Sequence, residues 1–214
     1  MTQNKKILYI SISVALLLIG YFVFRVIKKS NPNPDYSVGQ VLDSLNGVYV
    51  YYNGSLENIE DENVSKDGYK LGLKHHSEEF IKRYYYEKYK HKMPNVAGNP
   101  EEFFDPKVAD GELNSKRDLL QFSNPSFSLP AVGDILILKK NKDFLHGHVA
   151  IVSNVYDGAL EVIQQNPGPF KSSRALFGYG DFGNKYKIDD KDVLGWLRIK
   201  DTAKTDSVPV IKDK

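Results

Sequence analysis

The chain has 214 residues, 41% of them hydrophobic and none of them cysteine. That length supports one domain with its own core, and the lack of cysteine excludes disulfides, thiolate metal sites, cysteine-linked lipids and a thiol nucleophile. The formal charge is +2, yet residues 1–29 carry five basic and no acidic side chains, leaving 24 basic against 27 acidic elsewhere. The remainder is therefore net −3, which excludes an electrostatic nucleic-acid footprint on the folded part.

Residues 7–24 are eighteen residues without a charge, about 27 Å as a helix. Extended to residue 27 with Arg25 snorkelling, they predict a single membrane span. The bulky Tyr21-Phe22-Val23-Phe24 leaves no small-residue cleavage site, so residues 1–29 are expected to be an uncleaved anchor. Lys5 and Lys6 precede the span while Arg25, Lys28 and Lys29 follow it, a one-charge bias toward a cytoplasmic C-terminus. Residues 30–37, with Pro32 and Pro34 among polar residues, read as a stiff linker.

Residues 36–72 are rich in turn formers, with one strand-like run at 48–52. From Ser77 to about Lys90 the spacing is helical. Phe80, Ile81, Tyr84 and Tyr85 share a face with Ser77, and Glu79, Lys82, Arg83 and Glu87 are expected elsewhere. Ser77 also suits a helix N-cap, with Glu78 and Glu79 in the first turn. Residues 95–105 read as an irregular wrap over the core. Strands are predicted over 134–138, 148–155, 159–165 and 194–199, and a polar, disordered tail over 201–214. One helix followed by an antiparallel meander makes the fold class α+β.

Tyr156-Asp157-Gly158 suits a three-residue hairpin loop. Val155 would then pair with Ala159, setting His148 opposite Asn166 with Gln164 diagonal on the same face. A histidine and an amide would meet there as a base and its orienting group. A one-residue slip would undo this arrangement.

Gly72-Leu73-Lys74-His75-His76-Ser77-Glu78-Glu79-Phe80-Ile81-Lys82-Arg83-Tyr84 resembles the helix that carries the catalytic cysteine in CHAP domains. In those domains, the cysteine- and histidine-dependent amidohydrolases/peptidases, the pattern is Gly-Leu-Lys-aromatic-Gln-Cys-Val-Glu-Phe-Val-Lys-Arg-Tyr. Further along, Pro130-Ala131-Val132-Gly133-Asp134-Ile135, Gly147-His148-Val149-Ala150-Ile151-Val152, Gln164-Gln165-Asn166 and Gly195-Trp196-Leu197-Arg198 match the family's later blocks in order. The resemblance implies a papain-like domain over residues 38–200, the helix packed on an antiparallel half-barrel. It also implies cleavage of amide bonds in peptidoglycan peptides, and a membrane-anchored domain facing the wall. The implied site is Ser77 at the cysteine position, His148 as base, and Asn166 or Gln164 as orienter, with no cofactor.

The departures gather at that centre: Ser77 for Cys, His76 for Gln, His75 for the aromatic, Glu78 for an apolar residue and Gln164 for Glu. A thiol, whose ordinary pKa of about 8.5 is lowered by a helix N-terminus and an imidazolium, exists as a thiolate before substrate arrives, whereas a serine hydroxyl needs a base during attack and a carboxylate behind that base. The expectation is therefore an impaired amidase that serves as an envelope module, binding peptidoglycan stem or cross-bridge peptides or an envelope protein. An active Ser77–His148 hydrolase is the alternative. A third reading closes His75, His76, His146, His148 and Glu78 on zinc or another borderline metal, although adjacent histidines point in different directions.

Overall fold

The computed structural model describes residues 3–94 and 98–200. Residues 95–97, at the start of the expected wrap, and the tail from 201 to 214 lie outside the described residues.

The first helix, α1, is Gln3–Ser30. Within it Lys5–Val26 has mean hydropathy 2.5 and none of its apolar window is buried by the rest of the protein. It is long and apolar enough to cross a membrane. The stretch read as a stiff linker is fastened to the domain. Asn33 is buried and donates from Nδ2 to the Pro169 carbonyl at 2.9 Å, while the Tyr52 hydroxyl donates to Asn31 Oδ1 at 3.0 Å.

Two short hairpins follow. β1 (Val41–Leu45) and β2 (Val48–Tyr51) are joined through Asn46-Gly47, both with positive φ, as a tight hairpin turn requires. β3 (Glu62–Val64) pairs with β4 (Lys70–Leu73). Only β2 was legible beforehand, because β1 has no fully buried residue and β3 is short and largely exposed. The second helix, α2, is Ser77–Tyr89 and ends where Lys90 turns left-handed, its N–H reaching the Tyr85 and Tyr86 carbonyls. Phe80, Ile81, Tyr84 and Tyr85 are buried as the spacing requires, but so are Glu79, Lys82 and Arg83. The expectation that these three charges lie away from the core is corrected, because Glu79 and Arg83 neutralise each other inside it.

The remaining strands are β5 (Leu113–Asn114), β6 (Leu119–Ser123), β7 (Ile135–Leu138), β8 (His148–Tyr156), β9 (Ala159–Ile163), β10 (Arg174–Phe182), β11 (Lys185–Ile188) and β12 (Val193–Arg198). They form one antiparallel sheet in the order β11-β10-β9-β8-β7-β12-β6-β5. A plain meander is therefore corrected: the last strand inserts between β7 and β6. It belongs inside because Trp196 and Leu197 are both fully buried, on opposite faces. The buried Arg198 also forks onto Asp134 at 2.9 and 2.7 Å, locking β12 to the start of β7. The class is α+β.

Alternation splits the apolar residues of β7 and β8 between two clusters. Ile135, Ile137, Val149 and Ile151 pack with the apolar face of α2, and Leu136, Ala150 and Val152 pack with Val162 and Trp196 on the other side. A bridge from Ser126, just past β6, to Tyr186 in β11 joins distant parts of the strand order, so the sheet curls around the second cluster. Gly195 sits where β12 crosses β6, and a Cβ there would fall 2.0 Å from the Phe122 carbonyl oxygen. Gly195→Ala is expected to destabilise the domain by about 3 kcal/mol, the upper range for overpacking, read as a lower denaturant midpoint in guanidinium unfolding.

Candidate functional site

The start of α2 carries Ser77. The helix cap is His76, whose side chain makes no capping bond, so Ser77 is the first helical residue and its expected N-cap role is corrected by one position. Ser77 is buried, and its hydroxyl donates to Glu78 Oε2 at 3.1 Å. No hydrogen bond joins it to His148.

His148 opens β8 immediately after Gly147, whose φ is +82°. A Cβ at Gly147 would fall 2.8 Å from both the Glu101 nitrogen and the Leu138 carbonyl oxygen, so the approach to the histidine accepts only glycine. The His148 ring stacks on Phe144, with centroids 4.2 Å apart and planes 9° from parallel. Its Nε2 lies 3.0 Å from Gln164 Oε1. Gln164 Nε2 donates to the Ser172 carbonyl at 3.1 Å, which orients the amide so that its oxygen faces the ring. Nε2 therefore carries the proton and Nδ1 is the basic nitrogen. Burial pushes the His148 pKa down from 6.5 to about 4, against a smaller raising effect of the Gln164 bond.

The partnership of His148 and Gln164 emerges from two register differences that cancel. The hairpin pairs Tyr156 with Ala159, not Val155 with Ala159, so the loop is one residue shorter than the sequence suggested. A bulge between Val152 and Asn154 then restores Val152↔Val162 and Ile151↔Ile163, the offset the three-residue loop would have produced. Gln164 consequently lies on the diagonal from His148. Asn166 does not meet the histidine: pairing of β8 with β9 ends at Ile163, Asn166 turns left-handed at φ 55°, and its Nδ2 donates to the Leu56 carbonyl at 3.1 Å. The amide that meets the His148 ring is therefore Gln164, and the expected placement of Asn166 opposite the histidine is corrected.

Between these sits a polar network that the sequence reading missed. Gln165, fully buried, donates to the His76 carbonyl at 2.9 Å and to Glu79 Oε2 at 2.8 Å. Its Oε1 accepts the Tyr51 backbone N–H at 2.8 Å. Glu79 Oε1 takes Arg83 Nε at 2.6 Å and Asn63 Nδ2 at 2.7 Å. Gln164 thus reaches the histidine and Gln165 the helix start, bringing both to one end of β9. The signal was present in the alternation: Ile163 faces α2, so Gln165, two residues on, shares its direction. Lys82 is also buried, and desolvation lowers its pKa to about 8.

The other histidines diverge. His75 packs on Tyr51 with ring centroids 5.4 Å apart, its Nδ1 3.4 Å from Glu60 Oε2, and burial lowers its pKa. His76 Nε2 lies 2.8 Å from the Asn58 carbonyl oxygen, and His146 is exposed. Among the described residues no three histidine, aspartate or glutamate side chains converge as metal ligands would.

The buried histidine makes stability depend on pH. Its folded pKa lies below its unfolded one, so on acidification the unfolded chain binds a proton first. Stability is full above pH 6.5 and is lost as pH falls toward 4. The loss should reach about 3 kcal/mol, at about 1.4 kcal/mol per unit, and His75 acts in the same direction. Denaturant titrations of the chain at pH 7, 5.5 and 4 should show this slope, and His148→Gln should flatten it.

No curated protein matches the chain. A solved structure titled "The crystal structure of Ly7917" aligns at 13% identity over 58% of this chain, with a TM-score of 0.31. The chain spans about half of that protein, 53% of its length. Residues 78–166 match the CHAP domain family, a stretch that begins one residue after Ser77, ends on Asn166 and contains His148 and Gln164.

Proposed function

We propose that the chain is a membrane-anchored relative of peptidoglycan amidases and endopeptidases whose centre is impaired for acyl transfer, and that it acts at the envelope as a binding module. In this reading residues 1–29 anchor the protein, residues 38–200 form a papain-like half-barrel domain, and the C-terminal domain faces the wall. The family match over residues 78–166 supports the amidase or peptidase kinship. What the groove holds is a peptidoglycan stem or cross-bridge peptide, or an envelope protein.

The observation that carries impairment is geometric: the Ser77 hydroxyl bonds Glu78 and not His148, and the group against the His148 ring is the neutral Gln164. A serine nucleophile must hand its proton to the base during attack, and a base held near pKa 4 accepts it poorly at neutral pH. The imidazolium that would form has only the neutral Gln164 behind it. The Ser77 hydroxyl meanwhile points its hydrogen bond at Glu78. A small depression lies beside Gln164, bordered by Tyr51, Asn53, Asn166, Pro167 and Lys171.

The test is digestion of purified peptidoglycan by the full chain in detergent micelles, with released fragments read by mass spectrometry. The unmodified protein is expected to release nothing while retaining binding to the sacculi. Fragments from the unmodified protein that disappear in His148→Ala would overturn impairment and establish the Ser77–His148 hydrolase instead.

A further inference from the structure

The segment leaving the membrane helix does not swing free, and this determines which face of the domain meets the bilayer. From Val26, the end of the apolar stretch, to Ser30 the chain is helical, a rise of about 6 Å. From Ser30 to Asn33 it can extend at most about 11 Å. Asn33 is then buried and bonded to the Pro169 carbonyl at 2.9 Å. Its own Oδ1 accepts the Asp35 N–H at 3.0 Å, while Asn31 is held by Tyr52 and donates to the Tyr36 carbonyl at 2.9 Å. With the reach of the Asn33 side chain included, Pro169 therefore lies no more than about 24 Å from the end of the hydrocarbon-spanning stretch, and the headgroup layer occupies about 5–8 Å of that distance.

The residues at this point suit an interface. Phe170, next to Pro169, is 72% exposed. Lys171 follows, 3.1 Å from Asp143 and with its ammonium 5.0 Å from the Phe144 ring centroid. That contact brings the loop against the turn carrying Leu145, which is 61% exposed. Lys140 and Lys142, also exposed, lie on the same turn. Large apolar side chains flanked by lysines are the composition that seats in a phospholipid interface, the apolar groups among the acyl-chain ends and the ammonium groups at the phosphates.

We propose that the Phe170 and Leu145 loops form a membrane-facing surface that seats on the lipid bilayer spanned by α1. The domain is thereby held with one fixed face down, not suspended on a tether. This inference rests on the reading of α1 as a membrane span. The same Phe144 stacks on His148, and Pro167, Gly168 and Lys171 border the depression beside Gln164. The candidate centre therefore opens next to the lipid surface, where it meets ligands held at the membrane in preference to those deep in the wall.

The lack of cysteine makes the test direct. Three single-cysteine versions of the full chain, Phe170→Cys, Phe182→Cys and Leu17→Cys, are spin-labelled and reconstituted in phosphatidylcholine/phosphatidylglycerol vesicles. Collision with a water-soluble nickel chelate and with lipid-soluble oxygen is read by electron paramagnetic resonance. Phe182 is exposed at the far end of β10, roughly 26 Å along the strand from Arg174, and serves as the remote control. The expected result is loss of nickel collision at positions 170 and 17 but not at 182, and its return at 170 when Asn33→Ala cuts the fastening. Nickel collision at 170 equal to that at 182, with 17 still shielded, would overturn the inference and leave the anchor standing. A label at 17 open to nickel would overturn the anchor itself, and shielding at 170 that survives Asn33→Ala would overturn the fastening as its cause.

Discussion

Replacing Arg83 by methionine should lower the unfolding free energy by about 3–5 kcal/mol, the range for breaking a buried ion pair from one side. Arg83 and Glu79 are both buried, and Arg83 Nε meets Glu79 Oε1 at 2.6 Å. Methionine matches the length of the arginine stem but leaves the Glu79 carboxylate in the core with only the amides of Asn63 and Gln165 to solvate it. For a domain of this size the change corresponds to a fall in Tm of roughly 6–20 °C, at about 2–4 °C per kcal/mol. Removing both charges, as Arg83→Met with Glu79→Met, should be less harmful than Arg83→Met alone, because no charge is then stranded. Thermal unfolding of the three variants checks both statements. Equal damage from the single and the double change would mean that the pair acts through packing and not through charge. The network also holds the His76 carbonyl through Gln165, so Arg83→Met should loosen the start of α2 as well, visible as faster amide hydrogen exchange in its first turn.

The second large effect concerns activity. Ser77→Cys should convert a silent protein into one that releases peptidoglycan fragments, because the start of α2 lowers the pKa of a thiol there and the thiolate so formed attacks without handing a proton to His148. Gln164→Glu should instead help the serine. A carboxylate against Nε2 stabilises the imidazolium, and exchanging carboxylate for amide behind the histidine of a Ser-His-Asp triad changes kcat by about 10⁴. The same substitution should raise the His148 pKa from about 4 toward or past its ordinary value, which histidine proton NMR reads without any substrate. It also removes the donor to the Ser172 carbonyl, at a cost of about 1 kcal/mol. If the NMR titration moves and the serine protein stays silent, the histidine's basicity is not what limits it, and the path of the Ser77 proton to Glu78 becomes the obstacle.

Much of this architecture was legible in advance. Phe80, Ile81, Tyr84 and Tyr85 announce α2 through their spacing, and the apolar runs of β7 and β8 announce strands buried on both faces. β10 escaped notice because Gly178 and Gly180 interrupt a strand with no fully buried residue, and β6 because Leu119-Leu120-Gln121 shows no clean alternation. At the candidate site the sequence set Asn166 opposite His148 with Gln164 diagonal, and the structure brings only Gln164 to the ring. A hairpin one residue shorter and a bulge one residue long cancel, and neither leaves a mark in the residue pattern.

The sequence by itself determined whatever depends on neighbours along the chain. Hydropathy over residues 7–24 marks the helix able to cross a membrane, the apolar periods mark α2 and the central strands, and the residue at position 77 dictates that any nucleophile there is a hydroxyl. Only the tertiary structure decided which polar groups meet: Gln164 and not Asn166 behind His148, Glu79 with Arg83 inside the core, and Asn33 on Pro169 across 136 residues. The physical reason is that apolar burial is non-directional and leaves a local period. A hydrogen bond inside a protein requires one particular partner at about 3 Å, and the chain supplies that partner from a distance no local pattern records.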